Sequence, residues 1–169
     1  MWYVIQVGTN QEDRVIGLIR SFVGKDVLKE AFVPQVEVMR RSRGQWQKRK
    51  ELLLPGYVFV IATDPEKLNQ ALIDVPAFTR LLGNDVSFTP LLDDEIKFLE
   101  AFTAPDRRIV RMSKGVIEGD QIIINEGPLR GQTGLIKRID RHKRLAYLEM
   151  TVMGRKKMIK VGLEIVSKS

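Results

Sequence analysis

The chain has 169 residues, 44% hydrophobic and 29% charged, with 28 Lys plus Arg against 21 Asp plus Glu and a formal net charge of +7. This composition excludes a disordered or lipid-embedded chain and fits one ordinary domain or two small ones. With no Cys and one His, disulfides, thiolate metal sites, Cys nucleophiles and multi-His zinc sites are excluded, and the positive excess favours a polyanionic partner, nucleic acid ahead of an anionic membrane.

The opening MWYVIQVGTN has no basic n-region, and no window holds the ~18 apolar residues of a membrane span, so a cytoplasmic protein is expected. Trp2, Tyr3, Val4, Ile5 and Val7 form a run too short for a helix and apolar on both faces, which predicts a central strand. Asn10 fits an N-cap, Val15, Leu18, Ile19 and Phe22 recur at helical spacing, and Gly24 supplies a stop. Residues 31–41 and 45–62 read as two strands joined over Ser42-Arg43-Gly44. Asp64 and Pro65 open a second helix through Leu72, and Thr89-Pro90 with Asp93, Asp94 and Glu95 opens a third that ends near Phe102. That order predicts an α+β fold whose N-terminal part is an α/β sandwich, an antiparallel or mixed sheet with helices against it.

Pro105, in Ala104-Pro105-Asp106-Arg107-Arg108, disfavours helix continuation, so a linker is placed at 104–113 between domains 1–103 and 114–169. Beyond it, 121–124, 134–139, 145–152 and 157–161 are short strand candidates with Gly, Pro and charged turns, the pattern of a small β-barrel. Charge is divided unevenly: residues 1–103 hold 13 basic and 14 acidic groups, whereas 114–169 hold 12 and 6, a net +6. Such a block with strand-like runs reads as a compact nucleic-acid module.

Gly119-Asp120, Gly127-Pro128-Leu129-Arg130-Gly131 and Gly134 with Ile136 resemble the KOW motif, a glycine-punctuated hairpin of SH3-like barrels. Upstream, Trp2-Tyr3-Val4, the run Leu54-Pro55-Gly56-Tyr57-Val58-Phe59-Val60, Val75-Pro76 through Leu82-Gly83, and Thr89-Pro90-Leu91 resemble the NGN domain of the NusG transcription elongation factors. The resemblance implies an NGN-like domain followed by a KOW barrel. It also implies a non-enzymatic transcription elongation and antitermination factor without cofactor or metal. By the same resemblance, Gln6, Leu54, Tyr57 and Phe59 would bind the clamp helices of the largest RNA polymerase subunit.

Two departures from the family pattern stand in the barrel. Leu129 replaces a usual aromatic, and Lys156-Lys157 follow Gly154-Arg155 where a small residue, Thr and Pro are usual. In the family that surface docks a ribosomal protein or the termination factor Rho. Its gain of cations is similar to the specialised paralog LoaP, which reads a leader RNA hairpin. Val116, residues 122–124, Val152, Ile159 and Val161 keep strand preference, so a stable barrel is expected rather than the helical hairpin of the paralog RfaH.

The expected RNA contacts are Arg138, Arg141, His142, Lys143, Arg144, Arg155, Lys156 and Lys157, the turn clusters forming one positive face on a hairpin of the nascent transcript, with Arg107, Arg108 and Arg111 as auxiliaries. The hairpin tip Arg40, Arg41, Arg43, Trp46, Lys48 and Arg49 is a second cationic site, and the family resemblance implies upstream or non-template DNA as a further partner there. Asp93, Asp94 and Glu95 read as a helix start rather than a Mg²⁺ site, and His142 as a phosphate or base contact rather than a catalyst. A membrane is not expected as a partner. The rival readings are a general NusG coupling polymerase to ribosome or Rho, and a KOW-type ribosomal RNA-binding protein.

Overall fold

The computed structural model describes residues 1–83, 86–103 and 107–167. Its elements in chain order are β1 (Trp2–Gln6), α1 (Glu12–Phe22), β2 (Leu28–Phe32), β3 (Gln35–Ser42), β4 (Gln45–Leu52), β5 (Tyr57–Ala62), α2 (Pro65–Ile73), α3 (Pro76–Leu82), β6 (Thr89–Pro90), α4 (Asp93–Phe102), β7 (Ile109–Val110), β8 (Ser113–Glu118), β9 (Gln121–Glu126), β10 (Ile136–Asp140), β11 (Leu145–Val152) and β12 (Arg155–Ser167). They form two compact units, Met1–Val33 with Leu54–Ile96, and Pro34–Leu53 with Lys97–Ser169. The hairpin of β3 and β4 therefore groups with the C-terminal strands. Of the segment expected as linker, Ala104, Pro105 and Asp106 lie outside the described residues.

In the first unit a sheet of order β2-β5-β1-β6 is antiparallel at every pairing. Side chains alternate across a strand, and Tyr3, Ile5, Val58 and Val60 face Val15, Ile16 and Ile19 of α1, Leu68 and Leu72 of α2 and Phe78 of α3 in one apolar cluster. Phe32 and Phe59 stack with centroids 5.7 Å apart, and Trp2 meets Phe32 edge-on at 5.8 Å. Both β1 and β5 are thus apolar on each face, as the opening run predicts for a central strand.

The helix starts show which local signals prevailed. Asp64 caps α2, its Oδ1 accepting from the N–H groups of Glu66 and Lys67. Glu95 reaches back to accept from the N–H of Leu92 at 3.1 Å, half of a capping box, which accounts for the acidic start of α4. Asn10 instead takes a left-handed φ of 63° and α1 is entered from Gln11, whose side chain makes no cap. The two long strands expected at 31–41 and 45–62 are four: Pro34, without an N–H, divides one, and Pro55-Gly56, with Gly56 at φ 88°, divides the other.

In the second unit five strands form one curled sheet of order β10-β11-β12-β8-β9. β12 joins its halves, pairing antiparallel with β11 from Arg155 to Gly162 and parallel with β8 from Leu163 to Ser167. Leu129, Leu145, Leu148, Ile159, Val161 and Leu163 are buried at 1% exposure or less, so the strand preference of this region is realised as a packed core. The Gly-Pro-Leu-Arg-Gly turn is pinned there by the Leu129 N–H, which donates to Ser113 Oγ at 3.0 Å. Leu129, expected on a docking surface, is an interior residue. Fixed in the same turn, Gly127 has φ 93°, and a Cβ on it would lie 2.6 Å from Met112 O and Ser113 Cα.

Gly131 also has positive φ, 73°, but open space around its Cβ position. Gly131→Ala is expected to cost about 1–2 kcal/mol, the left-handed penalty alone, and Gly127→Ala distinctly more, because backbone must also move. Urea unfolding followed at the C-terminal strands by amide exchange checks the order, which reverses if the turn is not packed as described.

Candidate nucleic-acid interface

The β3–β4 hairpin closes through Arg43 and Gly44, at φ 52° and 77°. Positive φ at both central residues is the signature of the type I′ turn, whose twist suits a two-residue hairpin. The stem is locked by a bidentate pair, Arg40 Nε and Nη2 donating to Glu51 Oε2 and Oε1 at 2.8 and 2.6 Å. That bond holds the Glu51 carboxyl below its ordinary range and raises the Arg40 guanidinium, with burial opposing both shifts. Arg40 is thus committed within the stem, while Arg41, Arg43, Lys48 and Arg49 are exposed.

The turn between β10 and β11 is built from Arg141, His142, Lys143 and Arg144. Asp140 Oδ1 accepts from the Lys143 N–H at 2.9 Å, and the Leu163 N–H donates to the Arg144 carbonyl at 3.0 Å, tying the turn to β12. Arg144 takes φ 58°, another left-handed residue that is not glycine. Its guanidinium lies 4.2 Å from the centroid of the Trp46 ring and 3.7 Å from Glu164. Sequence reading treats hairpin tip and barrel turn as separate sites, whereas the structure joins them. A shallow hollow of about 280 Å³ is lined by Met39, Arg40, Arg41, Trp46, His142 and Lys143.

What brings β3 beside β12 is a close backbone approach at Gly162. A Cβ there would lie 2.5 Å from Glu37 O, and the Met112 N–H donates to Glu37 Oε1 at 3.1 Å beside it.

The other expected contacts are dispersed. Arg155, Lys156 and Lys157 open β12 at the far end of the eight-residue β11, about 23 Å from the basic turn at ~3.3 Å per residue. The two clusters expected to share one face thus sit at opposite ends of a hairpin. Lys156 lies 3.8 Å from Glu149, and the Arg138 guanidinium is 4.2 Å from the Tyr147 ring centroid. Arg107 and Arg111 are exposed, whereas Arg108 is buried at 6% exposure, its guanidinium donating to Thr103 Oγ1 at 3.5 Å. An interior guanidinium cannot meet a phosphate from solvent, so Arg108 is a structural residue here.

Of the residues expected to meet polymerase, Gln6 is exposed, while Leu54, Tyr57 and Phe59 are 4%, 4% and 0% exposed. All three belong to the interior. No local spacing announces Met39, Glu51, Tyr147 or Glu164, because their roles arise from long-range pairing. Among the described residues no cluster of three or more His, Cys, Asp or Glu could hold a metal ion, and no helix is long and apolar enough to cross a membrane.

A helix-flanked antiparallel sheet and a curled, glycine-turned sheet define a two-part α+β protein, and comparison with known proteins assigns it. The family model described as transcription termination factor nusG matches residues 1–100, and the KOW motif matches residues 118–149. The chain belongs to the NusG family. Similar curated proteins include the transcription termination/antitermination protein NusG of Rickettsia felis, 22% identical over 99% of this chain and 90% of the relative. Those of Campylobacter jejuni and Escherichia coli are 25% and 23% identical over 99% of this chain and 96% of each relative. A solved structure described as domain interaction in Thermotoga maritima NusG matches with TM-score 0.48 and 19% identity, covering 95% of this chain and 92% of that one.

Two outcomes are expected of the hairpin. Gly162→Ala should force β3 away from β12, so amide exchange should accelerate in β3 and β4 while β11 stays protected; equal acceleration in all three would contradict a local contact. Because its folded pKa is depressed, Glu51 contributes stability above the ordinary carboxylate pKa and loses it as pH falls through the folded value. Glu51→Gln should therefore cost about 0.2–1 kcal/mol of hairpin stability at neutral pH, the range for partly exposed pairs, and nothing once the pH lies below the depressed folded value. Amide exchange across that pH range measures it.

Proposed function

We propose that this protein is a non-enzymatic factor of elongating RNA polymerase that suppresses pausing or termination and carries its own RNA-binding module. The full-length relation to proteins named for termination and antitermination supports the transcriptional role. In this reading residues 1–103 supply the NGN-like part that binds the polymerase clamp helices, 104–113 link, and 114–169 bind a structured nascent RNA in the cytoplasm. Gln6 is the exposed member of the polymerase set. Leu54, Tyr57 and Phe59 then shape that surface from beneath, since a buried ring acts on a partner only through the strand it supports.

The observation that carries the RNA half is the +6 charge of residues 114–169, displayed as exposed cations at both ends of β11. A factor need only bind the elongating state better than the paused one to shift the balance, so no chemistry is required of it. That the relatives are named for termination as well as antitermination favours a second reading, a general NusG factor; coupling of polymerase to Rho or the ribosome is then what the family resemblance implies. The burial of Leu129 is compatible with it, because the missing aromatic is then a difference of core and not of docking surface.

In a reconstituted transcription assay the whole chain should raise readthrough, and Gln6→Arg should abolish that effect while leaving RNA affinity intact. Lys156→Gln with Lys157→Gln should weaken hairpin RNA and lower the salt slope by about 1 per lost phosphate contact. Readthrough unchanged by the wild-type chain, or Rho-dependent release enhanced by it, would replace this reading with the general one.

A further inference from the structure

We infer that the hollow between Trp46 and the Arg141–Arg144 turn is a site for one unpaired nucleotide, its base against Trp46 and its phosphate held by Arg41 and Lys143. The inference rests on the RNA-binding reading and deepens it. The hollow of about 280 Å³ is just under the ~300–1,000 Å³ of small-ligand pockets, room for a single planar group. Its indole is held in place: Arg144 stacks over Trp46, Glu164 lies beside Arg144, and the Arg144 carbonyl is bonded to β12. A ring fixed in orientation, with a cation on one face, offers its remaining surface to another π system at little ordering cost.

The charges around the ring are sorted. Arg40 is tied to Glu51, so it adds little net charge to the hollow. Arg41, the cross-strand partner of Trp46, and Lys143 are exposed cations that both line the hollow. His142 is also exposed there, and its ring nitrogens can hydrogen-bond a base edge.

The geometry also selects the form of the ligand. An A-form stem keeps its bases stacked and its edges within a deep groove, so it can lay phosphates on the cations but cannot place a base on Trp46. A loop or bulge nucleotide can. The hairpin tip expected at DNA and the turn expected at RNA share this one site, so a single strand occupies it at a time.

The test uses the whole chain and an RNA stem-loop carrying a fluorescent adenine analogue at one loop position, with a fully paired RNA duplex and a single-stranded DNA of the loop sequence as further arms. The wild type is expected to quench the analogue on binding. Trp46→Ala should abolish quenching and weaken the stem-loop about 5- to 150-fold, with little effect on the duplex, while Trp46→Phe retains both quenching and most of the affinity. Arg41→Gln should weaken every arm alike and reduce the salt slope by about 1. Stronger binding of the DNA arm than of the RNA loop would assign the site to a DNA strand. If neither RNA bound the wild type, the RNA reading itself would fail. If stem-loop and duplex bound equally and Trp46→Ala, still folded by circular dichroism, left both unchanged, this site alone would be refuted.

Discussion

The seating of the β3–β4 hairpin within the second unit depends on one steric condition, the absence of a side chain at Gly162. There β12 changes partners from β11 to β8, and there the Glu37 carbonyl of β3 comes within 2.5 Å of where a Cβ would stand. No side chain can be accommodated against backbone at that distance without displacing a strand. The approach keeps a hairpin with few apolar residues in place: β4 is mostly exposed and polar, and Val36 and Val38 are its buried neighbours on β3. Two polar bonds support the same arrangement, from the Met112 N–H to Glu37 and from the Gln35 N–H to the Arg108 carbonyl.

Charge alone does not rank the cations of this unit. Arg40, Arg144 and Lys156 have carboxylates within 4 Å, Arg138 lies on a tyrosine ring, and Arg108 is interior. A partnered cation loses its partner or shares it when a phosphate arrives, so its contribution to binding is reduced by that exchange. Exposed Arg41, Arg43, His142 and Lys143 are bound by fewer such constraints. Conversely, partnered side chains are better ordered, and a platform such as Trp46 with Arg144 gains from order what it gives up in free charge.

The parts of the fold readable from sequence are those set by short-range rules. Asp64 and Pro65 announced α2, Asp93 to Glu95 announced α4, Ser42-Arg43-Gly44 announced the hairpin turn, and 145–152 matched β11 residue for residue. The seven-residue α3 was missed as a helix because its apolar residues span too few turns to show a period. Phe59 could not be sorted into core or contact because an alternating strand predicts two faces and not what covers them. Arg108 resembled a surface linker residue by composition, and only its tertiary setting makes it interior. For the candidate site, the residue types were legible and their grouping was not. Trp46 and Arg144 are 98 positions apart in the sequence, and the strand pattern ends near Val161 whereas β12 runs to Ser167.

Joining tip and turn in one unit changes how substitutions there should combine. Residues that share a ring, a partner or a backbone contact are coupled, with interaction terms of about 0.5–3 kcal/mol. Trp46, Arg144 and Glu164 form such a chain, and Gly162 acts on it through β3. Replacing Arg144 by asparagine would relieve a left-handed backbone yet remove the group that holds the indole, so stability and binding should move in opposite directions there. Arg43 has the same backbone strain without the stack, and serves as the reference from which the share owed to the stack can be separated. A position where the locally unfavourable residue supplies the contact is where local consistency is expected to yield to function.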